Sequence, residues 1–132
     1  MKVVIGGCAQ GKLDYVLQHG ERDSFLIFDG RLPGKEEIQE SRVQKKTVVI
    51  NHFHQWMREI LQQGQNPEAL LGDFMKNVPD AVVISDETGN GIVPADAAER
   101  ACREQTGRML VKLAGHADEV VRVICGIGQK IK

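Results

Sequence analysis

The residues best suited to chemistry in this 132-residue chain form one short run, Gly6-Gly7-Cys8-Ala9-Gln10-Gly11-Lys12-Leu13. Glycines let a backbone curl so that its N–H groups converge on an anion, and a lysine closing such a loop reaches phosphate oxygens as a point charge. The spacing Gly-x-x-x-x-Gly-Lys is that of a phosphate-binding loop, provided a strand precedes it and a helix follows. In that motif the next residue supplies a magnesium-coordinating hydroxyl; here it is Leu13, which has none. Gly6 to Leu13 are the candidate nucleotide-binding residues and Lys12 a candidate catalytic one. The alternative is a glycine-rich turn that binds nothing. No residue is assigned to a metal.

A second candidate is Glu87, in Ile84-Ser85-Asp86-Glu87-Thr88-Gly89-Asn90-Gly91-Ile92-Val93-Pro94. A carboxylate following a strand can position a substrate hydroxyl, or it can simply cap the turn from Thr88 to Gly91. His52 and His54 flank Phe53 at the start of an amphipathic stretch. Residues two apart point to different faces of a helix, so the pair reads as polar helix-start residues at the mouth of a cleft rather than a nucleophile or metal pair. His19 and His116 stand near helix C-termini, where partial positive charge is welcome. Cys8 reads as a small loop filler, Cys102 and Cys125 as core positions, and Trp56 as core on an apolar stripe.

The elements that must position these groups follow from hydrophobic periodicity. Val3–Ile5, Phe25–Phe28, Thr47–Ile50, Ala81–Ile84 and Val120–Cys125 are short apolar runs of strand length. Leu13, Val16 and Leu17 mark a helix stopped by Gly20. Phe53, Trp56, Met57, Ile60 and Leu61 mark a second, and Leu70 to Val78 a third, closed by Pro79. One long helix is expected from Asp96 to about Gly115, supported by the pairs Glu99/Arg103 and Glu104/Arg108. Asp29 to Lys46 reads as a polar connection with one turn of helix, and Lys130-Ile131-Lys132 as a short edge strand after a turn at Gly126 and Gly128. Strands alternating with helices predict an α/β fold, a mainly parallel sheet with helices on both faces, whose ligands bind beyond the carboxyl ends of the strands.

Bulk properties frame this reading. The length argues for a single domain, 1–132. A hydrophobic content of 42% with 27% charged residues suits an ordinary soluble globule, and a net charge of −1 offers no footprint for nucleic acid and no basic stripe for a membrane. Three dispersed cysteines without a CxxC pair argue against a disulfide framework or a structural zinc site, and free thiols suit the cytoplasm. The apolar run at Val3–Ile5 is too short for a signal peptide.

The Gly-Gly-x-x-x-Gly-Lys start, the run Glu87-x-Gly89-x-Gly91-Ile92-Val93-Pro94, and the pieces from Gly107-Arg108 to Gly126-Ile127-Gly128-Gln129-Lys130-Ile131-Lys132 together resemble the adenosylcobinamide kinase/adenosylcobinamide-phosphate guanylyltransferase (CobU-like) family. The resemblance covers residues 1–12 and roughly 80–132. It implies a P-loop NTPase fold of the RecA-like type, usually as a homotrimer. It also implies two magnesium-assisted reactions of cobalamin biosynthesis: phosphorylation of an adenosylcobinamide hydroxyl, and transfer of GMP from GTP onto that phosphate through a covalent histidine. ATP or GTP and adenosylcobinamide are the ligands implied, with Lys12 and Glu87 in the catalytic set.

The chain departs from the family pattern at four points, one of them Leu110 where the family has an asparagine after the Gly107 position. Leu13 replaces the loop hydroxyl. Asn51 stands where the family has an acidic residue at the end of the third strand. The segment Asp29 to Lys46, where the family carries its nucleophilic histidine, contains none. Three readings follow: an enzyme that keeps the kinase step, a non-catalytic nucleotide or cobinamide binder, and a homo-oligomeric relic that binds no nucleotide.

Overall fold

The β-branched runs form strands and the stripes between them form helices, in a computed structural model that describes residues 1–88 and 94–132. In chain order these are β1 (Lys2–Gly6), α1 (Lys12–Gln18), a 3-10 turn (Arg22–Ser24), β2 (Phe25–Asp29), α2 (Lys35–Val43), β3 (Thr47–Asn51), α3 (Phe53–Gln62), α4 (Pro67–Asn77), β4 (Val82–Asp86), α5 (Ala97–His116), β5 (Glu119–Ile124) and β6 (Ile127–Lys130). The turn expected between Thr88 and Gly91 falls largely outside the described residues, as does the rest of 89–93.

The strands make one sheet in the order β2-β3-β4-β1-β5-β6. The first five in space are parallel, and β6 returns antiparallel to β5. β1 is therefore central, between β4 and β5. This is the α/β, RecA-like arrangement expected. Register aligns the carboxyl ends: Gly6 lies beside Asp86, and Asp29 beside Asn51. The polar groups that matter thus share one edge of the sheet.

Alternation along the strands divides the core. Val3, Phe28, Val48, Ile50, Val83 and Val120 face a large cluster with Phe53, Trp56, Met57 and Ile60 of α3, Leu71 and Phe74 of α4, and Met109 and Leu113 of α5. Val4, Val49, Val82, Ile84, Val121 and Val123 face a smaller cluster closed by Val16 of α1 with Leu13, Tyr15 and Phe25 packed on it. Helices do cover both faces, but unevenly. Trp56 is core, as its stripe predicts. Capping is conventional: Asn66 accepts from the amides of Glu68 and Ala69 at the start of α4, and Asp96 from Ala98 at the start of α5.

Several expectations are corrected. The polar connection after β2 holds a nine-residue helix, α2, where the sequence suggests one turn. Only Ile38 and Ser41 turn it inward, so its apolar stripe is too thin for periodicity to register. Its N-terminus is fixed by Glu37, which accepts the Gly34 amide at 3.0 Å and a two-point pair from Arg31 at 2.8 and 2.6 Å. The edge strand begins at Ile127, so Gly128 lies within it; the turn is Cys125-Gly126. Cys125 is exposed at φ 50° in that turn, not in the core, and Cys102 is only half-buried. On α5 the Glu104–Arg108 pair forms at 2.6 Å, and Glu99 reaches across to Arg58 of α3 at 3.1 Å, a contact between helices that helical spacing alone does not show.

Candidate functional site

The glycine loop links the central strand to α1, the setting a phosphate-binding loop requires. Gly6 is buried at the end of β1, and a Cβ there would lie 2.5 Å from the Val123 carbonyl oxygen. Only glycine fits between these two strands at that point. Gly11 adopts φ 84°, and a Cβ there would lie 3.4 Å from the Cα of Gly126. Ala9 is left-handed at φ 54°. Gly7, Cys8 and Ala9 are exposed at the crest. Gln10 moors the loop to the β5–β6 turn: its Oε1 accepts the Cys125 amide at 2.7 Å, and its carbonyl accepts the Gly126 amide at 2.8 Å. The side chain of Leu13 packs on the smaller apolar cluster.

Lys12 folds back under the loop. Its side chain is 7% exposed, and its ammonium donates to the Gly7 carbonyl at 2.6 Å and pairs with Asp86 Oδ1 at 2.6 Å. Asp86 ends β4, next to Gly6 in register. The carboxylate facing Lys12 is thus Asp86 and not its neighbour Glu87. The Glu87 amide donates to the Gly6 carbonyl at 2.9 Å, and its carboxylate receives Arg122 Nε and Nη2 of β5 at 2.7 and 3.0 Å. That pairing holds the Arg122 guanidinium above its ordinary pKa.

His54 completes a chain of contacts behind Lys12. Its Nδ1 accepts the Asp86 main-chain N–H at 3.2 Å, so the ring proton belongs on Nε2, which lies 3.5 Å from Asp86 Oδ2. Burial pushes its pKa down, against an upward pull from Asp86, with Lys12, His52 and Arg58 adding to the fall. His52 stands just before α3 at φ 55°, outside the helical spacing that separates the two histidines on paper. Its ring therefore comes edge-on to that of His54, with centroids 5.6 Å apart. Among the described residues their carboxylates differ: His52 Nδ1 is 2.5 Å from Asp29 Oδ1, while His54 faces Asp86. Beside His54 a cavity of about 270 Å³ opens between α3 and α5, lined by Arg58, Thr88, Glu99, Cys102, Arg103 and Thr106. Thr88 Oγ1 is buried there without a hydrogen-bond partner among the described residues.

Magnesium does not fit the residues present. Leu13 offers no oxygen, and Asn51 turns its amide N–H₂ on Asp29 Oδ1 at 3.1 Å. Among the described residues no group of three or more His, Cys, Asp or Glu side chains is arranged to hold a metal ion.

Sequence reasoning finds the loop and Lys12 but assigns neither Asp86 to Lys12 nor His54 to Asp86. Asp86 carries a usable signal, an acid ending an apolar run of strand length. His54 carries none, because its place depends on how α3 sits on the end of β4.

Comparison with known proteins follows this geometry. A family model described as cobinamide kinase / cobinamide phosphate guanyltransferase matches residues 18–131. The bifunctional adenosylcobalamin biosynthesis protein CobU of Escherichia coli (strain K12) is 35% identical over 80 residues, 59% of this chain and 44% of that protein. Its namesake in Salmonella typhimurium (strain LT2) is 47% identical over 84 residues, 62% of this chain and 46% of that protein. The chain spans about half the length of the curated relatives it matches. The glycine loop precedes the stretch matched by the family model.

Proposed function

Because the chain belongs to the cobinamide kinase / cobinamide phosphate guanyltransferase family, we propose that it is a nucleotide-binding protein of cobalamin biosynthesis whose loop, Gly6 to Leu13, holds the phosphates of ATP or GTP. One observation carries this reading. Lys12 sits buried at the carboxyl end of the central strand, and its ammonium donates to one carbonyl and one carboxylate, acceptors that phosphate oxygens can join or replace. Cobinamide, named in the family description, is the proposed second ligand, with only its hydroxyl-bearing arm reaching the cavity beside His54. A cytoplasmic homo-oligomer, a trimer by the resemblance, is part of the same reading. Ile124 and Ile127 support it as an exposed cross-strand pair on the edge hairpin.

Turnover is proposed to be weak. Phosphoryl transfer relies on a metal to neutralise the phosphates, and the residues at this site do not fit one. Lys12 remains to neutralise part of that charge. Glu87 is the proposed hydroxyl-positioning group, at the rim beside Gly6. Guanylyl transfer is not proposed, since no histidine lies in the segment from Asp29 to Lys46. Binding without efficient turnover is the second reading, favoured by Leu13 and Asn51.

Calorimetric titration of ATP and GTP tests both readings. Wild type is expected to bind, and Lys12→Met, which keeps the apolar stem, is expected to lose roughly 1.5–3 kcal/mol of affinity. Equal binding by both proteins would overturn the loop assignment. Magnesium is expected to change the affinity little; a hundredfold tightening, about 2.7 kcal/mol, would restore a metal site. With ATP and cobinamide, phosphoryl transfer that falls in Glu87→Gln at unchanged nucleotide affinity would fit Glu87 as the positioning group. Unchanged transfer would leave it as the tie to Arg122.

A further inference from the structure

The contacts behind Lys12 have a consequence for charge when phosphate arrives. Two of the three N–H donors of the Lys12 ammonium are taken at 2.6 Å, by Gly7 O and Asp86 Oδ1, so a polyphosphate that sets two oxygens on Lys12 must displace one of them. Phosphate entry draws the ammonium towards the loop. Asp86, with a side chain 21% exposed, is then left as an uncompensated carboxylate beside incoming negative charge, an unfavourable arrangement in a partly buried place. His54 Nε2 lies 3.5 Å from its other oxygen, and the His54 side chain is 16% exposed.

We propose that phosphate binding at the loop is coupled to protonation of His54, which replaces Lys12 as the cation on Asp86. The inference rests on the nucleotide reading above and makes His54 a positioning residue that acts through Asp86. The proton comes from solvent and goes to Nδ1. This ends the hydrogen bond in which Nδ1 accepts the Asp86 amide, and the ring turns to set an imidazolium N–H on the carboxylate. The charged groups around His54 favour a conditional switch. Lys12 from α1, Arg58 on α3 and His52 before it oppose the proton, and Asp86 from β4 favours it. His52 is already paired with Asp29 from β2, and Arg58 with Glu99 from α5. Removing Lys12 from Asp86 takes away one opposing charge and uncovers the favouring one. His54 is neutral when the loop is empty, since burial holds it below its ordinary value. Because protonation and binding favour each other, affinity is greatest below the free-state pKa of His54 and declines as pH rises to the bound-state value.

Nitrogen-detected NMR of the imidazoles in the full chain tests this directly, with His54 assigned among the four histidines by a His54→Gln variant. Without ligand, the Nε2–H neutral tautomer is expected at pH 7. Saturation with ATP, and separately with pyrophosphate, is expected to raise the pKa of His54 by about one unit, a tenfold gain in proton affinity. In Asp86→Asn the rise is expected to shrink to a small fraction of that value while ATP still binds. An unchanged or lowered His54 pKa in ATP-saturated wild type would overturn the coupling and leave the nucleotide reading standing. A full rise persisting in Asp86→Asn would assign the effect to the phosphate field and overturn the relay. Failure of wild type and Asp86→Asn alike to bind either probe would remove the nucleotide reading and the coupling with it.

Discussion

At the scale of single residues, the site depends on positions whose neighbours leave no latitude. Gly6 is one: the oxygen that a Cβ would meet at 2.5 Å belongs to the backbone of β5 and cannot swing aside. Gly6→Ala is expected to destabilise the fold by about 1–3 kcal/mol, the usual cost of overpacking, and to lower the calorimetric Tm by several degrees. An unchanged Tm would mean that β1 and β5 separate easily there. The sequence announces Gly6, Gly11 and Lys12 because a loop motif is local. It is silent on His54 and on the pairing of Glu87 with Arg122, because those contacts join residues more than thirty positions apart. A local pattern records what a residue is, not which remote side chain reaches it.

At the scale of elements, α2 shows how a helix forms without a legible stripe. Its sequence, Lys35–Val43, is mostly charged, and its start is held by the Arg31–Glu37 pair and the Gly34 amide. These contacts, Arg31 foremost, pull the Glu37 carboxyl down to about 2. A depressed carboxylate favours the folded form above its ordinary value near 4.5, and that contribution disappears as pH falls through about 2. Carboxyl NMR is therefore expected to find Glu37 ionised at pH 3. Arg31→Gln is expected to bring its midpoint back towards the ordinary range. A midpoint near 4.5 in the wild type would mean that the pair does not persist in solution. The other helices were readable because apolar residues recur every three or four positions, as at Phe53, Trp56, Met57 and Ile60. The strand ends were readable to within a residue or two. The edge strand was misplaced because Gly128, which resembles a turn residue, lies under the ring of Tyr15, where a side chain would collide.

At the scale of the whole molecule, one sheet runs from β2 to β6 and both apolar clusters lean on it. Among the described residues neither cluster stands apart from that sheet, and the single domain expected from the sequence is open to a calorimetric test. Calorimetric unfolding is expected as one transition whose calorimetric and van't Hoff enthalpies agree. Two resolved transitions would divide the chain into domains. The proposed oligomer is checked by sedimentation equilibrium, where the mass is expected to be a multiple of 14.6 kDa. A mass of one chain would remove that part of the reading. Among the described residues no helix is long and apolar enough to cross a membrane.

The mooring of the loop by Gln10 to Cys125 and Gly126 also sets a timetable. Lys2 on β1 pairs with Val82 and with Glu119, so the central strand has no partner until β4 has been made, and only one until β5 follows. A chain emerging from the ribosome adds about 5–20 residues each second. For several seconds it therefore carries an apolar strand and a glycine loop with nothing to close on, while β2, β3 and α3 already have one another. Contacts so distant along the chain also slow folding after release. The segment that would touch phosphate is among the earliest to be translated and, by this pairing, among the last to take shape. In a partly synthesised or truncated chain the loop lacks this mooring, which is complete only when residues as far along as Gly126 are in place.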